Sequence, residues 1–317
     1  MRRPLTHLAA SAAILAMMGC SGDDATTPPP TSAAPVAPAT DATSTSAPEP
    51  TSSTAAPTTA APTTAAAPTT NAPTTTPAPM EPRAALIQRL SDELADADLA
   101  ASVVASFDDA TIAIIEQSAE GDIVNSPLLS YTPATVPDAD VDTLWVFSFG
   151  YRFTDEALAE GFDTWGAVPP PDALAPGPVN EALARIAAEF VETHPVPVIA
   201  QWEVAQLLAD MGVEGVISVE PDVAADGTVT YLSTAGVAVK GLQLAADAGL
   251  TVGQAGVLCF ADHAVRCVMT AEAAAMTAAV PEGAELPSEY DPESGQPWTR
   301  SRAAFVPTDL LARTALA

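Results

Sequence analysis

Between residues 140 and 277 short apolar runs alternate with helical patterns, and this alternation restricts the fold more than any other feature. The runs are "TLWVFSFG" (143–150), "VPVIA" (196–200), "GVISVE" (215–220) and "QAGVLCF" (254–260). Each is apolar almost throughout rather than at every second residue, the pattern of strands covered on both faces. Between them lie "NEALARIAAEFVETH" (180–194), introduced by Pro178 or Asn180, and "WEVAQLLADMG" (202–212), closed by Gly212. There follow "STAGVAVKGLQLAADAG" (233–249), with Ser233 or Thr234 as N-cap and Gly249 as stop, and "DHAVRCVMTAEAAAM" (262–276), capped by Asp262. Polar caps at the start and glycine just past the end are helix boundary signals. Strands separated by helices predict an α/β, three-layer, Rossmann-like fold with a mainly parallel sheet over residues 136–317. The tail "QPWTRSRAAFVPTDLLARTAL" predicts an edge strand or loop and then a final helix.

Residues 81–135 read as a helical prefix. Leucines recur at three- to five-residue spacing at Leu86, Leu90, Leu94 and Leu99, and Asp108 or Asp109 can cap a second helix running through Ile115. Ahead of it, residues 20–80 are almost entirely Ala, Thr, Pro and Ser, as in "TTAAPTTAAAPTTNAPTTTPAP". Such a segment cannot bury enough apolar surface to offset its chain entropy, so it is expected to be a disordered linker. Along a polyproline II path about 60 residues reach on the order of 150–190 Å. Residues 1–19 carry Arg2 and Arg3 and then an apolar stretch, Leu8 to Met18, too short to span a bilayer. This is a signal-peptide pattern. Its end, "MMGC", resembles the lipobox of bacterial lipoproteins, which implies cleavage before Cys20 and a diacylglyceryl thioether on it. Each acyl CH₂ buried in a membrane contributes about 0.8 kcal/mol, so more than one chain gives a durable anchor. The expected location is the extracytoplasmic face of a cell membrane, and the expected form a monomer.

The formal net charge is −29, and Lys240 is the only lysine. That balance argues against nucleic acid, which needs phosphate-neutralising cations, and against adhesion to anionic headgroups. After Cys20 only Cys259 and Cys267 remain. Outside the cell they could pair or stay as two buried thiols, and the spacing leaves both open. No CxxC or His/Cys spacing suggests a metal, and no GxGxxG, Walker A or GxSxG pattern occurs. No cofactor can be named.

In open parallel sheets ligands bind beyond the carboxyl ends of the strands. The residues that follow the four runs are Gly150 and Arg152; Gln201, Trp202 and Glu203; Glu220, then Tyr231, Ser233 and Thr234; and Asp262, His263 and Arg266. His263 and Arg266 stand at i and i+3, so they share a helix face near its start, where the dipole favours an anion. A polar or anionic small molecule is the partner this predicts. Bland alternatives stand beside each residue: His263 bonded to backbone, Arg266 paired with Glu220 or Glu203, Trp202 in the core, Asn180 or Thr234 as a simple cap.

The order of the pieces resembles the YdcF/SanA/ElyC family. The matching elements are "LWVFSFG", "VIAQWE", "VISVEP" with Glu220, "YLSTAGVAVKG" with Thr234, and "LCFADHAVRC" with the His-x-x-Arg pair His263 and Arg266, over about residues 140–277. Gln201–Trp202 stands where the family has a Gly pair, Val237 where it has Asn, and Gly236 where an acidic residue is usual. The resemblance implies a Rossmann-like domain with an envelope role for some members, and it carries Glu220, Thr234, His263 and Arg266 as site residues; the strand-end reading adds Gly150, Arg152, Asn180, Gln201 and Glu203 to the expected ligand site. His263 would be general acid or base if the protein is a hydrolase. A non-catalytic binding module and a fold whose site has decayed are the other two expectations.

Overall fold

A computed structural model describes residues 80–161, 173–225 and 229–317. The expected signal peptide, Cys20 and the expected linker up to residue 79 lie outside the described residues. The elements run α1 (Pro82–Leu94), α2 (Ala97–Ala105), α3 (Asp109–Ser118), β1 (Thr135–Val136), β2 (Thr143–Val146), β3 (Arg152–Phe153), α4 (Asp155–Ala159), β4 (Leu174–Ala175), α5 (Pro178–Thr193), β5 (Val198–Gln201), α6 (Trp202–Asp210), β6 (Ile217–Val219), β7 (Asp222–Val223), β8 (Val229–Thr230), α7 (Thr234–Asp247), β9 (Gln254–Leu258), α8 (Ala264–Ala273), β10 (Thr277–Pro281) and α9 (Arg302–Thr314).

The central sheet has six strands in the order β1-β10-β9-β2-β5-β6, and every neighbouring pair is parallel. The short pairs β3–β4 and β7–β8 are antiparallel and separate from it. One face of the sheet packs Leu144, Val146, Val198, Ala200 and Leu258 against Leu183, Ala187 and Phe190 of α5 and Val204 and Leu208 of α6. The other packs Trp145, Ile199, Val219, Ala255 and Val257 against Val237 and Ala238 of α7 and Ala264, Val268 and Ala271 of α8. This is the expected three-layer α/β architecture, of Rossmann-like form. A separate cluster joins Leu86, Leu90, Val103, Val104 and Ile115 of the prefix to Val306 and Leu310 of α9.

The short pairs β3–β4 and β7–β8 go beyond the sequence expectation, and so do two strands of the central sheet. β10 is an alanine-rich segment closed by Pro281, and β1 has only two residues. Neither has the β-branched run that marks a buried strand. The first run is a strand only to Val146. Phe147 still donates its amide to the Leu258 carbonyl at 2.9 Å, and from Ser148 to Gly150 the chain stays buried but leaves the sheet. The prefix helix breaks at Ala95, which takes φ 52°, and Asp96 then caps α2 through the Leu99 amide at 2.9 Å. Asp108 caps α3 and Ser233 caps α7. Asp262 does not cap α8: a 3₁₀ turn, Ala261–His263, intervenes, and the Asp262 carboxylate instead accepts from Arg302 and Tyr290. Helices α6 and α7 end where glycine predicted. Gly212 (φ 81°) and Gly249 (φ 73°) close them with paired bonds from Val213 to Leu208 and from Leu250 to Ala245. Cys259 and Cys267 are free thiols, both fully buried. Burial pushes the Cys267 thiol well above its ordinary value, and a hydrogen bond with Cys259 adds to this.

Helix α7 approaches the sheet most closely at Gly241. A Cβ there would lie 2.6 Å from the Trp145 ring and 3.1 Å from Ile199 Cγ2. Trp145 is fully buried, and its indole N–H is held by Thr143 at 3.1 Å, so it cannot readily give way. Gly241→Val is therefore expected to cost on the order of 1–3 kcal/mol from overpacking. The check is a lower urea midpoint with an unchanged m-value.

Candidate functional site

From β2 the chain passes to β5 and β6 on one side and later to β9 and β10 on the other. The carboxyl ends of β2 and β9 are thus the topological switch point, where an open α/β sheet forms its crevice. Four connections meet near it: 147–150 after β2, the start of α6 after β5, the segment 229–234 leading into α7, and 259–263 after β9.

The first polar group there is a closed network. The Gln201 Oε1 accepts from the Ser148 amide at 3.3 Å, and its Nε2 donates to the Tyr231 hydroxyl at 3.0 Å. The Ser148 and Tyr231 hydroxyls are 3.2 Å apart, and Tyr231 donates a short hydrogen bond to Glu203 Oε1. Glu203 is fully buried and its Oε2 has no partner. Burial pushes its carboxyl up to about 7, against a weaker opposing effect from the Tyr231 hydrogen bond. The Tyr231 phenol is raised well above its ordinary value, again by burial first and then by the adjacent Glu203.

The second group centres on Asp309 of α9. Arg266 Nε lies 2.7 Å from Asp309 Oδ1, and Arg313 closes on Oδ2 at 2.6 Å. Asp309 and Arg313 are both completely buried. Burial by itself would raise this carboxyl, but the charge of Arg313, helped by His263 and Arg266, holds it well below the usual carboxylate range. His263 is 3 % exposed; its Nδ1 is 3.8 Å from Asp309 Oδ1, and its Nε2 is 3.3 Å from the Thr234 hydroxyl. Arg266 also lies over the Phe305 ring at 5.7 Å.

The residues expected at the rim separate into different surroundings. Gln201 and Glu203 share the first network. Thr234, His263 and Arg266 share the second, where the anion that Arg266 holds is Asp309 and neither Glu220 nor Glu203. Asn180 is neither cap nor exposed contact. It is fully buried and grips the turn after β2, accepting from the Phe149 amide at 2.9 Å and donating to the Gly150 carbonyl at 2.7 Å. Gly150 itself (φ 73°) lies beneath Ser294 and Thr299, whose hydroxyls are 2.6 and 2.8 Å from where its Cβ would be. Arg152 forms a bidentate pair with Asp291 at 2.8 and 2.7 Å and also reaches Glu293. Glu220 is exposed and accepts from Ser218. With Trp202 and Ser218 it lines a groove of about 440 Å³ between α6 and β6.

Ser148, Asp309 and Arg313 were not expected at the rim. A signal for the last two exists: Phe305, Asp309 and Arg313 recur every four residues along the apolar stripe of α9, which puts an acid and a base at buried positions. Comparisons with protein-family models, curated proteins and solved structures find no match to this chain.

Two outcomes follow from these networks. Because the folded state raises the Glu203 carboxyl from 4.5 to about 7, the native protein binds the extra proton within that window. Stability should fall as pH rises from about 4.5 to about 7, at up to roughly 1.4 kcal/mol per pH unit, and Glu203→Gln should flatten this slope. Denaturant midpoints measured across that range for both proteins check it. Asp309→Asn leaves two guanidiniums without their counter-charge. It should cost about 3–5 kcal/mol in urea unfolding at neutral pH.

Proposed function

We propose that this chain is a membrane-anchored, extracytoplasmic, YdcF-like protein of cell-envelope maintenance. It binds or processes a polar or anionic small molecule at the carboxyl ends of its parallel strands. The observation that carries this reading is the meeting of Thr234 and His263, 3.3 Å apart, beside the network of Ser148, Gln201, Glu203 and Tyr231. The two groups are built from side chains that follow β2, β5, β8 and β9, and Thr234 opens a 14-residue helix whose first-turn amides favour negative charge. The lipobox-like "MMGC" and the long linker behind it support an anchor at Cys20 with the domain held clear of the membrane.

A second reading, a non-catalytic module that binds a solute or cell-wall component, is favoured by one specific observation. Arg266, the cation expected to hold a ligand, is already engaged by Asp309.

Ligand binding to the native state adds RT ln(1 + [L]/Kd), about 2.7 kcal/mol at a hundredfold excess over Kd. UDP-N-acetylglucosamine, lipid-linked precursors and soluble muropeptides should therefore include at least one probe that raises the melting temperature. Gln201→Leu and Tyr231→Phe should abolish that shift. A panel that moves no melting temperature, or a shift indifferent to both substitutions, removes the strand-end site.

A further inference from the structure

Thr234, His263 and Asp309 stand in a row. The Thr234 hydroxyl is half-buried at the first position of α7, and behind it lies His263 Nε2 at 3.3 Å. On the far side of the ring Nδ1 has no partner within ordinary hydrogen-bonding reach, and the Asp309 carboxylate faces it at 3.8 Å. Arg266 and Arg313 hold that carboxylate in its ionised form. A fixed negative charge opposite Nδ1 favours the proton there, which leaves the Nε2 lone pair facing the Thr234 hydroxyl. Hydroxyl, imidazole and carboxylate in this order are a nucleophile, its base and the group that orients the base. Phe305 and Phe149 pack edge-on and tilted against the imidazole, at 5.7 and 6.0 Å between ring centres, and so restrict its rotation.

We propose that Thr234 is a nucleophile toward a neutral ester or amide carbonyl, with His263 as its base and Asp309 as the residue that positions His263. This rests on the reading of the strand-end crevice as the ligand site, and names the substrate class for it. The charges decide the class. Arg266 and Arg313 are both committed to Asp309, and the neighbouring network contributes the carboxyl of Glu203. Among the described residues no contact brings either guanidinium to Thr234, and a neutral carbonyl needs none. It becomes an anion only when attacked, and the positive end of the α7 dipole then favours the new charge.

In the step, Thr234 Oγ1 bonds to the carbonyl carbon as its proton passes to His263 Nε2, and the C=O π pair moves onto oxygen. The oxyanion collapses, the bond to the leaving group breaks, and His263 returns the proton to that group. Water, deprotonated by His263, then cleaves the acyl–Thr234 ester and restores the hydroxyl.

The probe is p-nitrophenyl acetate on the full chain. Expected are a burst of nitrophenolate and an acetyl group mapped to the peptide containing Thr234. Thr234→Val should abolish both without changing the melting temperature, and Thr234→Ser should keep them. His263→Gln should slow acylation about 10²–10⁴-fold. Nitrogen NMR of the histidine-labelled wild type should show His263 protonated at Nδ1 and bare at Nε2. This readout needs no variant to fold. Acetyl found on Lys240 or on another residue instead, acylation unchanged in Thr234→Val, or a proton on Nε2 overturns the proposal. A melting shift from the envelope probes without acetylation of Thr234 removes the nucleophile and leaves the binding reading. Acetylation without any shift does the reverse.

Discussion

The Asp309 carboxylate is completely buried, and it is tolerated because two guanidiniums and an imidazole surround it. An isolated ionised group there would cost several kcal/mol, so the surrounding charges and the helices that carry them must be in place together. Arg266 comes from α8, against the sheet; Arg313 comes from α9 and also binds the carbonyls of Leu128 and Ser130 while lying 4.3 Å over the Tyr131 ring. Arg302, at the start of α9, binds Asp262 and the carbonyl of Leu94. One helix thereby fastens the prefix to the α/β domain and holds His263 in position.

Arginine clamps of this kind recur through the protein and explain why it uses arginine where lysine would serve for solubility. Arg83 takes the carbonyls of Val104 and Phe107 as well as Asp109, and Arg300 takes the carbonyl of Ser294. A planar fork with five donors in fixed geometry can grip several acceptors at helix and loop ends, whereas an ammonium has three. In a chain with net charge −29 most of the cations among the described residues therefore act as internal fasteners.

The middle of the sheet was legible because its strands are covered on both faces and must be apolar throughout; nothing else in the sequence has that look. Its edges were not. Thr277–Pro281 pairs through its backbone with side chains too small to announce a strand, and β1 borrows its register from β10. At the rim, parallel strands place their ends together whatever the residues are, so Gln201, Glu203, Thr234 and His263 could be found by counting past each run. What each side chain holds could not. The partner of Arg266 lies 43 positions away on a different helix, and Asn180 serves the backbone of a turn 30 positions before it. Contacts at such separations leave no periodicity to detect.

Helix α9 also sets an order of events. All six strands precede it in the chain, yet the apolar faces of α1, α2 and α3 find Val306 and Leu310 only once α9 exists. A chain still emerging from a ribosome therefore lacks the last support of its prefix and of His263. It stays loose until that segment is through, and a product truncated before residue 302 would present two unfinished cores to the quality-control machinery that meets it.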